Sequence, residues 1–83
     1  MSGNMDAMQL IQEAIQTVDA AKIGRLSRAT PATEIREIGM DSVATMEMVA
    51  YIEDRLGVQF DEAALQQITT FADLVRLIDR SRR

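Results

Sequence analysis

With 83 residues, 47% of them hydrophobic, the chain is long enough for one small domain spanning residues 1–83 and too apolar to stay disordered. It has neither Cys nor His, which removes disulfides, thiolate metal sites and the commonest general base, and so argues against a self-sufficient enzyme. The net charge of -4 is unevenly laid: residues 34–62 carry eight acids against Arg36 and Arg55, so this middle stretch is at -6 and the remainder at +2. An acidic middle repels nucleic acid and draws basic partner surfaces.

The first predicted helix runs from about Met5 to Asp19, with Asn4 as its N-cap. Ala7, Leu10, Ile11, Ala14, Ile15 and Val18 recur at the spacing of one helical face. Residues 20–40 read as a long connection, because Gly24, Ser27, Thr30-Pro31 and Thr33 interrupt any regular pattern. So long a stretch must pack on the core, through Ile23, Leu26, Ile35 and Ile38, with room for one helical turn around Glu34 to Ile38. Gly39 suits a position with unusual backbone angles before the next helix.

The second predicted helix starts at Asp41 or Ser42 and ends at Leu56, with Asp41 as N-cap and Gly57 as left-handed terminator. A short third helix, capped by Asp61, reaches about Gln66. A fourth follows Thr69 or Thr70, where Thr70-x-x-Asp73 is a variant capping box with Asp in place of Glu or Gln. Phe71, Leu74, Val75 and Ile78 give it an apolar face. No alternating run is long enough to make a strand. The fold class is therefore all-α: a four-helix bundle with three major helices, a short third helix and a long connection after the first. With three aromatic residues, its core is built of Leu, Ile, Val, Ala and Met.

The second helix carries two apolar stripes. Met48, Val49, Ile52 and Leu56 suffice to meet the core. Val43, Met46 and Ala50 form the other, with Glu47 and Asp54 continuing it and Glu53 at its border. This second stripe either widens the core face or stays outside as a docking surface, with apolar contacts for adhesion and carboxylates that steer basic partners.

Ser42 heads this helix. Taken alone an Asp-Ser pair means little, but the run Ile38-Gly39-Met40-Asp41-Ser42-Val43, then Met46-Glu47-Met48-Val49 and Ile52-Glu53-Asp54, closely resembles acyl carrier proteins of fatty-acid and polyketide synthesis. The likeness continues through Gly57-Val58-Gln59-Phe60-Asp61-Glu62 and Ile68-Thr69-Thr70-Phe71. It implies that a phosphopantetheinyl transferase moves 4'-phosphopantetheine from coenzyme A onto Ser42, and that acyl groups are then carried as thioesters on the arm's thiol. That would supply the sulfur a Cys-free chain lacks.

The same likeness gives the neighbours their roles. Asp41 becomes a capping and recognition residue that helps position the metal bound by the transferase. Val43, Met46, Glu47, Ala50, Glu53 and Asp54 become contacts for basic docking surfaces on a ketosynthase, an acyltransferase or an adenylating enzyme. Ile52, Leu65 and Ile68 fall near a cavity that shelters an acyl chain, although the core needs these residues in any case.

Four positions depart from the family pattern. Val43 stands where Leu is usual, Ala44 where an acid is frequent, Ala50 where a larger apolar residue is common, and Leu65 where a small one is often found. These departures bear on partners and cargo, and tilt the expectation toward polyketide or related secondary metabolism over housekeeping fatty-acid synthesis. Asp41 favours an acyl over a peptidyl carrier, which usually has His there; free-standing aminoacyl carriers share the Asp and stay open. A helical adaptor in which Ser42 is never modified is the reading from a different class. No apolar run approaches the roughly 20 residues that span a bilayer, and no signal-peptide pattern opens the chain. The expectation is a cytoplasmic monomer that binds neither nucleic acid nor membrane.

Overall fold

The first helix, α1, spans Ala7–Asp19 in the computed structural model, which describes residues 6–82. Its start is fixed by a reciprocal capping box. The Asp6 carboxylate accepts from the Gln9 N–H at 2.8 Å, and Gln9 Oε1 accepts from the Asp6 N–H at 3.0 Å. The cap expected at Asn4 and the start expected at Met5 lie outside the described residues; Asp6 caps α1 because Gln9 stands three positions on. Ala7, Leu10, Ile11, Ala14 and Ile15 are buried along one face.

The connection is more regular than its sequence suggests. It holds a 3-10 turn at Ala20–Lys22, one α-helical turn, α2 (Ile23–Leu26), and a second 3-10 turn at Ile35–Ile38. Gly24 reads as a break, yet it lies inside α2. Leu26 is buried and Ile23 packs against the core, so tertiary burial of these two residues overrides the propensity of the glycine between them. Ile35 and Ile38 are buried as expected.

A feature absent from the sequence pattern ties this connection to the last helix. The Ile35 N–H donates to the Thr69 carbonyl at 2.9 Å, the Phe71 N–H to the Thr33 carbonyl at 3.1 Å and the Ala72 N–H to the Pro31 carbonyl at 3.0 Å. Glu34 and Thr70 thereby form an isolated antiparallel bridge. These bonds satisfy backbone groups that a bare loop would leave to water.

Helix α3 spans Ser42–Leu56, between two left-handed glycines: Gly39 at φ 93° and Gly57 at φ 69°. Short helix α4 (Glu62–Gln66) follows; Asp61 occupies its cap position with extended backbone but makes no side-chain capping bond. Helix α5 spans Phe71–Ser81. Here Asp73 completes the box, its N–H donating to Thr70 Oγ1 at 3.1 Å and its Oδ2 accepting from the N–H groups of Thr69 and Thr70 at 2.9 and 3.0 Å.

The bundle is thus α1, α3 and α5 with the short α4, and the one-turn α2 is added within the connection. Ile11, Ile15, Met48, Ile52, Phe71, Leu74 and Ile78 are its fully buried large side chains. A half-buried polar cluster ties α1 to α3: Glu13 accepts from the Tyr51 hydroxyl and pairs with Arg55.

Candidate functional site

Gly39 makes the turn into α3. Its left-handed backbone is costly for any residue with a Cβ, and a Cβ there would come within 2.8 Å of Arg25 Nη1 and 2.9 Å of Lys22 Cε. After this turn Met40 is buried, which anchors the chain, and Asp41 takes the extended backbone of an N-cap. Asp41 Oδ1 accepts from the Ala44 N–H at 2.8 Å, and its carbonyl accepts from the Thr45 N–H at 2.9 Å.

Ser42 is therefore the first residue of a 15-residue helix, and it is solvent-exposed. The N–H groups of Ser42 and Val43 have no intrahelical acceptor, since they fall in the first turn. An exposed hydroxyl beside free amides at the positive end of a helix is chemically suited to a phosphate ester.

The two stripes of α3 separate as their spacing allows. Met48, Val49 and Ile52 are buried, with Leu56 packed against the core. Val43 and Met46 are 67% and 58% exposed, so they do not widen the core face. Ala50, Glu47 and Asp54 are exposed on the same outer side. Glu53 differs from its neighbours. It is half-buried, its Oε2 accepts from the Phe60 N–H at 2.8 Å and its carbonyl accepts from the Val58 N–H at 3.1 Å, so it pins the turn between α3 and α4.

An open groove of about 630 Å³ begins at Asp41 and Ser42. Ile35 and the buried Met40 contribute apolar surface to it. Thr45 and Met46, one turn along α3 from Ser42, border it, as do Ile68 and Thr69 before α5. Of the three residues expected near an acyl cavity, Ile68 reaches this groove, Ile52 is fully buried in the core, and Leu65 is half-buried against it.

The family described as "Phosphopantetheine attachment site" matches residues 8–78. Acyl carrier protein 3 of Ralstonia nicotianae is 31% identical over 71 residues, which are 86% of this chain and 70% of that protein. The chain belongs to the acyl carrier protein family. No solved structure gives a significant match.

As an acyl carrier protein it bears covalently attached 4'-phosphopantetheine and is a carrier, not a catalyst. The residues present fit that group: the exposed Ser42 hydroxyl can take a phosphodiester, and two unpaired helix N–H groups lie next to it. Among the described residues no cluster of acids is arranged to hold a metal ion, and no helix is long and apolar enough to cross a membrane.

Sequence reasoning missed Thr45, Thr69, Glu34 and Arg36 as neighbours of the serine. Thr45 was accessible to it, since a residue three positions on shares the face of Ser42. The others depend on the pairing of residues 31–35 with 69–72, which leaves no periodic trace.

Proposed function

We propose that Ser42 is the attachment residue, and that the protein presents acyl intermediates of polyketide or related secondary metabolism to a series of enzymes with basic docking surfaces. The observation that carries this reading is the exposed Ser42 hydroxyl on the first residue of α3, directly after an aspartate cap.

In the loading step the Ser42 oxygen attacks the coenzyme A phosphorus that bears pantetheine. A new P–O ester bond forms, the pyrophosphate bond breaks, and adenosine 3',5'-bisphosphate leaves. Ser42 forms no hydrogen bond with any basic group among the described residues, so the hydroxyl proton goes to a base of the transferase. Asp41 holds the helix start rigid and offers a carboxylate to the transferase and its metal. The free amides of Ser42 and Val43 stabilise the charge of the resulting phosphodiester. Once attached, the arm supplies a terminal thiol on which an acyl group is held as a thioester.

Val43, Met46 and Ala50 give partners an apolar strip, and Glu47 and Asp54 steer basic surfaces toward it. Glu53 belongs to the same strip by position, while its carboxylate also holds the Phe60 amide. The protein acts in the cytoplasm as a monomer.

Incubation with coenzyme A and a broad-specificity transferase, followed by intact-mass measurement, tests the reading. The wild-type protein gains the mass of one phosphopantetheine and Ser42→Ala gains none. Equal gain by both would move the attachment elsewhere.

A further inference from the structure

The turn that leads into α3 is covered by two side chains from the connection after α1. Gly39 is left-handed there, and its N–H donates to the Arg36 carbonyl at 3.0 Å. Glycine adopts φ of either sign, so this one bond restrains the turn only loosely. Arg25 and Lys22 close over it. Arg25 Nη1 donates to the Ile38 carbonyl in a long, partly buried contact of 3.5 Å, and lies 2.8 Å from where a Cβ at position 39 would stand. Lys22 Cε lies 2.9 Å from the same point. The Lys22 ammonium pairs with Asp19 at 3.3 Å and its side chain is only 23% exposed, so its methylenes are kept over the turn. Gly39 therefore gives these side chains room as well as giving the turn its hand. The guanidinium also meets the last carbonyl of the 3-10 turn Ile35–Ile38, the end of a helical turn where positive charge is favoured.

We infer that Arg25, with Lys22 beside it, is a positioning residue for loading: it fixes the turn at Gly39 and, through that turn, the direction in which the Ser42 hydroxyl is offered to the transferase. The inference rests on Ser42 as the attachment residue. At most about 10 Å of chain separates Gly39 from Ser42. Along it, Met40 is buried and Asp41 accepts from the N–H groups of Ala44 and Thr45, so a shift of the turn is carried into the first turn of α3. Arg25 is not on the outer stripe of α3, so its loss acts on the attack by the serine oxygen and leaves docking unchanged. A nucleophile moved by a fraction of an ångström slows the chemical step more than it weakens binding.

Single-turnover loading, with a broad-specificity transferase and coenzyme A in excess over the carrier and the transferase concentration varied, tests this. Arg25→Ala is expected to lower the limiting rate about three- to tenfold with an unchanged half-saturating concentration. Hydrogen exchange at the amides of Gly39, Ala44 and Thr45 should quicken in the same variant. Arg25 is exposed, so the variant folds, which circular dichroism checks. Arg28→Ala, which removes an exposed cation three residues on, should load at the wild-type rate. An unchanged limiting rate in Arg25→Ala, even with faster exchange, would reduce Arg25 to a structural contact and overturn the inference. A loss confined to the half-saturating concentration would make it a docking contact, and an equal loss in Arg28→Ala would make the effect one of net charge; either also overturns it. In all three cases wild type still gains the arm at Ser42 and the carrier reading stands. A wild-type protein that gains no mass would defeat the carrier reading itself.

Discussion

The carboxylate of Asp41 accepts the backbone N–H of Ala44 at 2.8 Å, which makes Ser42 the first residue of α3 and leaves its hydroxyl outside the cap. Asp41 can thus serve folding and loading with different atoms. Asp41→Ala is expected to lower stability by about 1 kcal/mol, whereas Asp41→Asn keeps an acceptor oxygen and loses only a few tenths. If the negative charge also serves the transferase, both variants load slowly. Denaturant titration beside initial loading rates separates the two roles; wild-type loading of Asp41→Asn would restrict Asp41 to capping.

The left-handed glycines on either side of α3 differ in their surroundings. A Cβ on Gly57 meets nothing within 4 Å, while one on Gly39 meets Arg25 and Lys22 and sits at φ 93°. Gly57→Ala is expected to cost about 1 kcal/mol, the lower end of the left-handed penalty, and Gly39→Ala about 2 kcal/mol. The excess stays modest because the atoms it displaces are ends of flexible side chains. Thermal or chemical unfolding of the two variants gives the order directly.

The outer stripe of α3 predicts two kinds of binding defect. Glu47→Lys or Asp54→Lys should weaken transferase binding roughly two- to fivefold at low salt, with the difference shrinking as salt rises. Met46→Ala should weaken it with little salt dependence, because the lost contact is apolar. Each residue is exposed, so helicity by circular dichroism is unchanged. Full-strength binding by Glu47→Lys at low salt would contradict electrostatic steering.

Asp73 gives a pH dependence of defined sign. Backbone hydrogen bonds from Thr70 and then Thr69, outweighing partial desolvation, hold its carboxyl below the usual carboxylate range, and Arg76 adds to the effect. A carboxyl lowered on folding contributes its full stabilisation above its unfolded pKa and loses it as pH falls through the folded value. The stability gap between wild type and Asp73→Asn is therefore widest at neutral pH and closes through the acid range. Unfolding titrations at several pH values check this; a gap that widens toward acid would contradict the assignment.

Much of this bundle is legible in its sequence because its long helices are strongly punctuated. Asp41 and Gly57 bound α3, Thr70 with Asp73 opens α5, and a three-and-four spacing marks the buried face of α1. The start of α1 is set by Asp6 and Gln9, a box that the pattern of apolar residues does not reveal. Helix α2 is hidden by Gly24, since only the burial of Leu26 and the packing of Ile23 justify it. At the site, local capping chemistry places Asp41 and Ser42 at the head of α3, while the role expected of Ser42 comes from the family resemblance of the run around it. The groove formed between the Glu34–Arg36 and Ile68–Thr69 sides is not legible, because the bridge between Glu34 and Thr70 that brings those sides together joins residues 36 positions apart.

The presentation of one hydroxyl at the head of α3 is tested most directly by fragment-ion mass spectrometry of protein purified from cells that contain a transferase. The account predicts that the pantetheine-bearing fragments all contain Ser42, and that ejecting the arm leaves the mark of its phosphoester on that residue. A protein carrying the arm at another residue, or one that stays unmodified beside an active transferase, would contradict it.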